Sequence, residues 1–133
     1  MQEVYEFLKK CGTYYLATVE GDQPRVRPFG TVDIFDGHLY IQTGKVKDVS
    51  KQIEANPKVE IAAFIPASRT WIRYTGTAVF TENQAVVDKV LEELPHLKAV
   101  YNEETGNKMM IFSLEDATAL LIDMAGNIEN IEL

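Results

Sequence analysis

The sequence predicts a mainly β protein, an antiparallel barrel with helices only at its flanks. Three observations predict it. β-branched and aromatic runs follow one another with turn residues between them. Helical spacing is confined to three short segments. The regular strand-to-helix alternation of a doubly wound sheet is missing. The length of 133 residues fits one domain spanning 1–133, and a chain this long can bury a core without disulfide or metal staples.

Val4, Phe7, Leu8 and Cys11 recur at helical spacing, so residues about 2–11 form an amphipathic helix closed by Gly12. TYYLATVE is a strand, and Gly21-Asp22 turns the chain. PRVRPFGTVDIF is a long extended segment. Its alternation puts Arg25, Arg27, Phe29 and Thr31 on one face and Val26, Val32 and Ile34 on the other. Pro28 cannot donate to a ladder, which places this stretch at an edge or a bulge. Asp36-Gly37 marks a hairpin into HLYIQT.

Residues about 45–55 form the second helix, with Val46, Val49 and Ile53 as its stripe and Asn56-Pro57 as its stop. KVEIAAFI and WIRYTGTAVF are strands, the first nearly all apolar and therefore buried. Val86, Val87, Val90, Leu91 and Leu94 define a third helix ended by Pro95. The tail from Met109 holds two strand-like runs and a Gly126-Asn127 turn.

Composition excludes several functions. The net charge of −7 disfavours non-specific nucleic-acid binding. No apolar run approaches bilayer length, and MQEVYEFLKK lacks the apolar core of a signal peptide, so a cytoplasmic protein without a membrane partner is expected. The lone Cys11 has no internal partner, which agrees with a reducing compartment. His38 and His96 have no matching Cys or carboxylate spacing, so no metal site is expected. P-loop, dinucleotide and nucleophile-elbow motifs are absent.

Charge is unevenly spread. Arg25, Arg27, Lys45, Lys47, Lys51 and Lys58 outnumber the acids between 25 and 58, whereas the chain beyond Glu82 is strongly acidic. A basic segment on an acidic protein suits a small anion. A strand offers Arg25 and Arg27. The next ends in Thr43-Gly44, and a helix then begins, whose N-terminal amides suit a phosphate. Lys47 and Lys51 lie four apart and would share a helix face; Thr43 and Ser50 add hydroxyls. Arg27 could give a two-pronged contact. Lysines at this spacing equally describe a solvated face, and Asp48 as an N-cap would occupy the amides a phosphate wants.

The order of RVRPFG, TGKVK, DVSKQI and ANPKVEI resembles the FMN-binding core of the pyridoxamine 5′-phosphate oxidase-like split barrels, in their short, nitroimidazole-reductase-related form. WIRYTGTAVF and KMMIFSLEDATALLID resemble that family's later strands, so the likeness covers nearly the whole chain. It implies a six-stranded antiparallel split barrel with about three peripheral helices, working as a homodimer with FMN bound between subunits. By position, Arg27, Pro28 and Phe29 would line the isoalloxazine edge. Thr43, Lys47 and Lys51 would hold the phosphate, with Arg25, Lys45 and Ser50 as secondary candidates. Trp71 and Arg73 would reach the flavin from the partner subunit, although Trp71 is equally readable as a core or interface aromatic.

The implied activity is an FMN-dependent oxidoreductase passing reducing equivalents from a nicotinamide donor to a small acceptor. FMN carries the chemistry, so no catalytic side chain is required. Alternatives are a non-catalytic FMN carrier or sensor, or a barrel holding haem or a deazaflavin. The acidic end, GNIENIEL, lacks the basic tail of pyridoxamine phosphate oxidase proper, so that oxidase activity is not expected.

Overall fold

The computed structural model describes residues 1–133. Helix α1 (Gln2–Cys11) precedes the hairpin β1 (Tyr14–Glu20) and β2 (Gln23–Phe29). The hairpin β3 (Asp33–Phe35) and β4 (His38–Gly44) leads into α2 (Asp48–Ala55). Strands β5 (Lys58–Ile65) and β6 (Thr70–Thr81) follow, then α3 (Gln84–Glu93) and the single turn α4 (Leu97–Val100). The long β7 (Met109–Asp123) and β8 (Ile128–Ile131) close the chain. The expected β class holds, but with eight strands and four helices. The extended segment 24–35 divides into β2 and β3, and α4 carries too few residues to show helical spacing.

All strand pairs are antiparallel, in the order β2-β1-β5-β6-β7-β4-β3, with β8 also on β7. β2 and β3 stand at opposite ends of that order, yet only Gly30, Thr31 and Val32 separate them. Four Cα–Cα steps span at most about 14 Å, so the sheet must curl until its ends meet. Two hydrogen bonds pin the seam. The Tyr14 hydroxyl donates to the Thr31 carbonyl at 2.6 Å, and Thr31 Oγ1 donates to Gln42 Oε1 at 2.6 Å. Pro28 sits as expected on an edge strand: β2 pairs only with β1.

Inward residues alternate along each strand, including Tyr14, Leu16, Ile61, Ile72, Tyr74 and Phe112, and form one core with Val4 and Leu8 of α1. Gly12 takes φ 74° and its N–H donates to the Leu8 carbonyl, the helix stop its position predicts. Asp36 and Gly37 both take positive φ, as a tight hairpin of this type requires.

Val26 does not share a face with the buried Val32, because the extended segment breaks between β2 and β3. Val26 is 68% exposed, while Arg27 and Phe29 point inward. Alternation fixes which residues share a face but not which face meets the core. The outward face carries apolar residues. Val26 pairs with Ala17, and Pro28 pairs with Tyr15. Phe64, Trp71, Ile122 and Ile128 form a row across four strands.

Candidate functional site

Helix α2 lies beside the seam, with Val49 and Ile53 buried in the core. Its N-cap is Lys47, in extended backbone at φ −76° and ψ 148°, and no side chain caps it. Asp48 is therefore the first helical residue and leaves the amides open, contrary to the N-cap reading. The amides of Asp48 and Val49 have no backbone acceptor either. Because the helix starts at 48 rather than 45, Lys47 and Lys51 do not share a helix face: the four-residue rule needs both positions helical.

A cleft of about 260 Å³ opens at this point. β2 supplies Arg27, Pro28 and Phe29; β4 supplies Gln42 and Thr43; Lys47 and Val49 come from the start of α2; Leu97 and Tyr101 close one wall. The curled sheet thus brings together five predicted residues from segments that are distant in the strand order. Thr43 is 2% exposed, and its Oγ1 has no hydrogen-bond partner. Ser50, fully buried on α2, also leaves its hydroxyl unpaired. A buried polar atom without a partner costs about 1–3 kcal/mol, so an unpaired hydroxyl on the cleft wall signals a place for a ligand.

Arg27 is held by three acceptors. Its Nη1 donates to Thr18 Oγ1 at 2.8 Å and the Leu16 carbonyl at 3.2 Å, and its Nη2 donates to Gln52 Oε1 at 2.6 Å. Burial and then the neighbouring Arg25 pull its pKa below the usual value, with Asp48 opposing. Arg25 has a carboxylate partner, Glu20, at 3.0 Å, and both are about half exposed.

Other predicted residues lie elsewhere. Arg25 and Lys47 line an adjoining depression, and Lys51 lines the next one along with Asp48 and Asn56. The exposed Lys45 is fixed by its backbone N–H donating to the Lys108 carbonyl. Trp71 and Arg73 stand on the outward sheet face, with the Arg73 guanidinium 4.9 Å from the Trp71 ring centre and its Nε 3.0 Å from Glu60 Oε1. The Arg73–Glu60 contact is an ion pair without hydrogen-bond alignment.

Sequence reading missed Thr18, Gln42, Gln52 and Tyr101. Two had a signal: Gln52 lies three residues after Val49 on the buried helix face, and Thr18 continues the inward series Tyr14, Leu16. A polar residue at an apolar position needs a buried partner. Tyr101 comes from an irregular segment and had none.

Behind the cleft, Gln42 Nε2 donates to Asp33 Oδ2 at 2.9 Å. Burial raises the Asp33 pKa, and Glu93 raises it further, against the Gln42 hydrogen bond, Lys9 and Lys89. A carboxyl raised in the folded state favours folding while protonated, and that contribution is lost as pH climbs through the folded pKa. Asp33→Asn keeps an acceptor for Gln42 and removes the charge. The variant should melt higher than the parent at pH 7, with the gap closing towards pH 4; an unchanged gap across thermal melts in that range would count against it.

The molecule is a curled antiparallel barrel with a cleft at its seam that Arg27 and Lys47 line. The chain belongs to the pyridoxamine 5′-phosphate oxidase family, whose description matches residues 1–115. It is similar over its whole length to a NimC/NimA family protein from Clostridium acetobutylicum, at 39% identity and TM-score 0.89, covering 92% of that chain. Two more distant structures share the fold. One is a pyridoxamine 5′-phosphate oxidase-related, FMN-binding protein from Nostoc punctiforme, at 15% identity and TM-score 0.65, with 99% of this chain and 96% of that one covered. The other is an FAD-binding protein from Mesorhizobium loti, at 17% identity and TM-score 0.61, with 89% and 91% covered. No curated protein matches the chain significantly. No helix is long and apolar enough to cross a membrane.

Proposed function

We propose that the protein is a flavin-dependent oxidoreductase that takes FMN in the seam cleft, reduces a small acceptor, and acts as a homodimer. The observation that carries this reading is the unpaired, buried Thr43 hydroxyl in a cleft that Lys47 and Val49 also line, where α2 begins with its first amides open. Together with Lys47 and Arg27 they make a donor-rich corner of the cleft, which fits a phosphate. The distant relatives described as FMN- and FAD-binding point to the same ligand class.

Lys47 and the α2 amides would hold the phosphate. Pro28 and Phe29, on the edge strand, would lie along the ring, and Leu97 with Tyr101 would keep water from it. Burial raises the Tyr101 pKa, so its phenol stays neutral and can still donate. Arg27 would share the phosphate with Lys47 instead of lining the ring. Bound FMN supplies hydride and one-electron chemistry.

The outward apolar face, with Tyr15 51%, Phe64 47% and Ile128 63% exposed, supports a second copy as its cover. That arrangement would place Trp71 and Arg73 against the partner's cleft. Light scattering should then give a dimer mass at micromolar concentration; a monomer would remove this part of the reading.

The central test is an FMN titration of the purified protein, followed by nicotinamide-dependent bleaching and turnover with a nitroaromatic acceptor. No FMN binding overturns the reading; binding and bleaching without turnover leave a carrier. Within the site, Lys47→Ala should cost about 1.5–3 kcal/mol of FMN affinity, as for one charged contact. Lys51→Ala, at the far depression, should cost under about 1 kcal/mol. Equal losses in parallel titrations would place the phosphate between the two lysines instead.

A further inference from the structure

We propose that Gln52 and Thr18 form a charge-neutral clamp that holds Arg27 in place while leaving its positive charge open to an anionic ligand group. The inference rests on the reading of the cleft as a flavin phosphate site and assigns Gln52 as the positioning residue for phosphate selectivity.

The hydrogen bonds are directional. Thr18 Oγ1 accepts from Arg27 and donates to Gln52 Oε1 at 2.6 Å, so its proton is committed. Gln52 Oε1 accepts from both Thr18 and Arg27. Gln52 Nε2 donates to Glu20 Oε2 at 3.1 Å. A carboxylate can only accept there, so Glu20 fixes which end of the Gln52 amide faces Arg27. The other Glu20 oxygen takes Arg25 at 3.0 Å.

The outcome is a division between the two arginines. Arg25 is neutralised by Glu20 across an exposed pair. Arg27 hydrogen-bonds only to a carbonyl, a hydroxyl and an amide, all neutral, so no carboxylate is bonded to it, and Asp48 acts on it only through space. Gln52 and Thr18 are 6% and 2% exposed, which shields the clamp from water. A glutamate at 52 would serve equally well as an acceptor for Arg27 but would cancel its charge.

FMN and riboflavin differ by one phosphate, so their affinity ratio reads the anion contact directly. The ratio is measured by fluorescence titration for the parent, Gln52→Glu, Glu20→Gln and the double variant, with melts to establish folding. The double variant is needed because Gln52→Glu alone sets a carboxylate against Glu20. The parent and Glu20→Gln should favour FMN. Both variants carrying Gln52→Glu should lose about tenfold of that preference. A parent with no preference overturns the phosphate reading itself. A parent preference that persists in both Gln52→Glu variants overturns the clamp alone. A double variant that fails to fold overturns it too, because a purely electrostatic exchange preserves shape and acceptor.

Discussion

Arg27→Ala should lower FMN affinity by about 2–3 kcal/mol, roughly thirty- to a hundred-and-fiftyfold, while Arg25→Ala changes it by less than about 1 kcal/mol. The two arginines are two residues apart on one strand and one face, so strand periodicity gives no reason to separate them. Their partners do. Removing Arg25 breaks an exposed ion pair with Glu20, a contact of small net value. Removing Arg27 takes from the cleft a cation with no carboxylate hydrogen bond and strips Thr18 and Gln52 of a donor. Arg27→Lys should fall between, since an ammonium keeps the charge but cannot reach Thr18 and Gln52 with one planar fork. Flavin titrations of the three variants test the order; comparable losses from Arg25→Ala and Arg27→Ala would refute it.

Gly76→Ala should be the most destabilising small change in the barrel, by about 2–3 kcal/mol, with a fall in Tm on the order of 10 °C. The cause lies across the ladder. Between the pairs Thr75–Thr118 and Thr77–Glu115, β6 advances two residues and β7 three, so β7 carries a bulge. Asp116 enters the left-handed region at φ 48° within it. The bulge presses on Gly76: a Cβ there would stand 2.9 Å from the Glu115 carbonyl, 3.0 Å from Leu114 Cβ and 3.1 Å from Ala117 Cβ. Two of those atoms are side-chain carbons fixed to the strand and one is backbone, so none can swing aside. Thermal unfolding of the variant measures the cost; a Tm within about 2 °C of the parent would show that the β6–β7 ladder yields.

The candidate site was legible only in part. RVRPF, Thr43 and Lys47 carry their chemistry in residue type and order, and the cleft gathers them. The separate fates of Lys47 and Lys51 were not legible, because they depend on a helix starting three residues later than the apolar stripe suggests. Helix boundaries follow local backbone geometry, which apolar spacing constrains weakly. The bulge at Asp116 was invisible for a related reason. An interior strand glycine marks close approach, but the approaching backbone lies some forty residues away.

By itself the sequence determined the strands, the hairpin turns and the class of barrel. Periodicity and turn chemistry are local properties, and each strand writes its own. Only the tertiary structure decided that Val26 faces outward, that the sheet curls until its β2 and β3 ends meet, and that Arg27 rather than Arg25 is free of a carboxylate hydrogen bond. Those outcomes follow from which side of a curled sheet meets the core and from which distant side chains, Thr18 and Gln52 above all, arrive at hydrogen-bond distance.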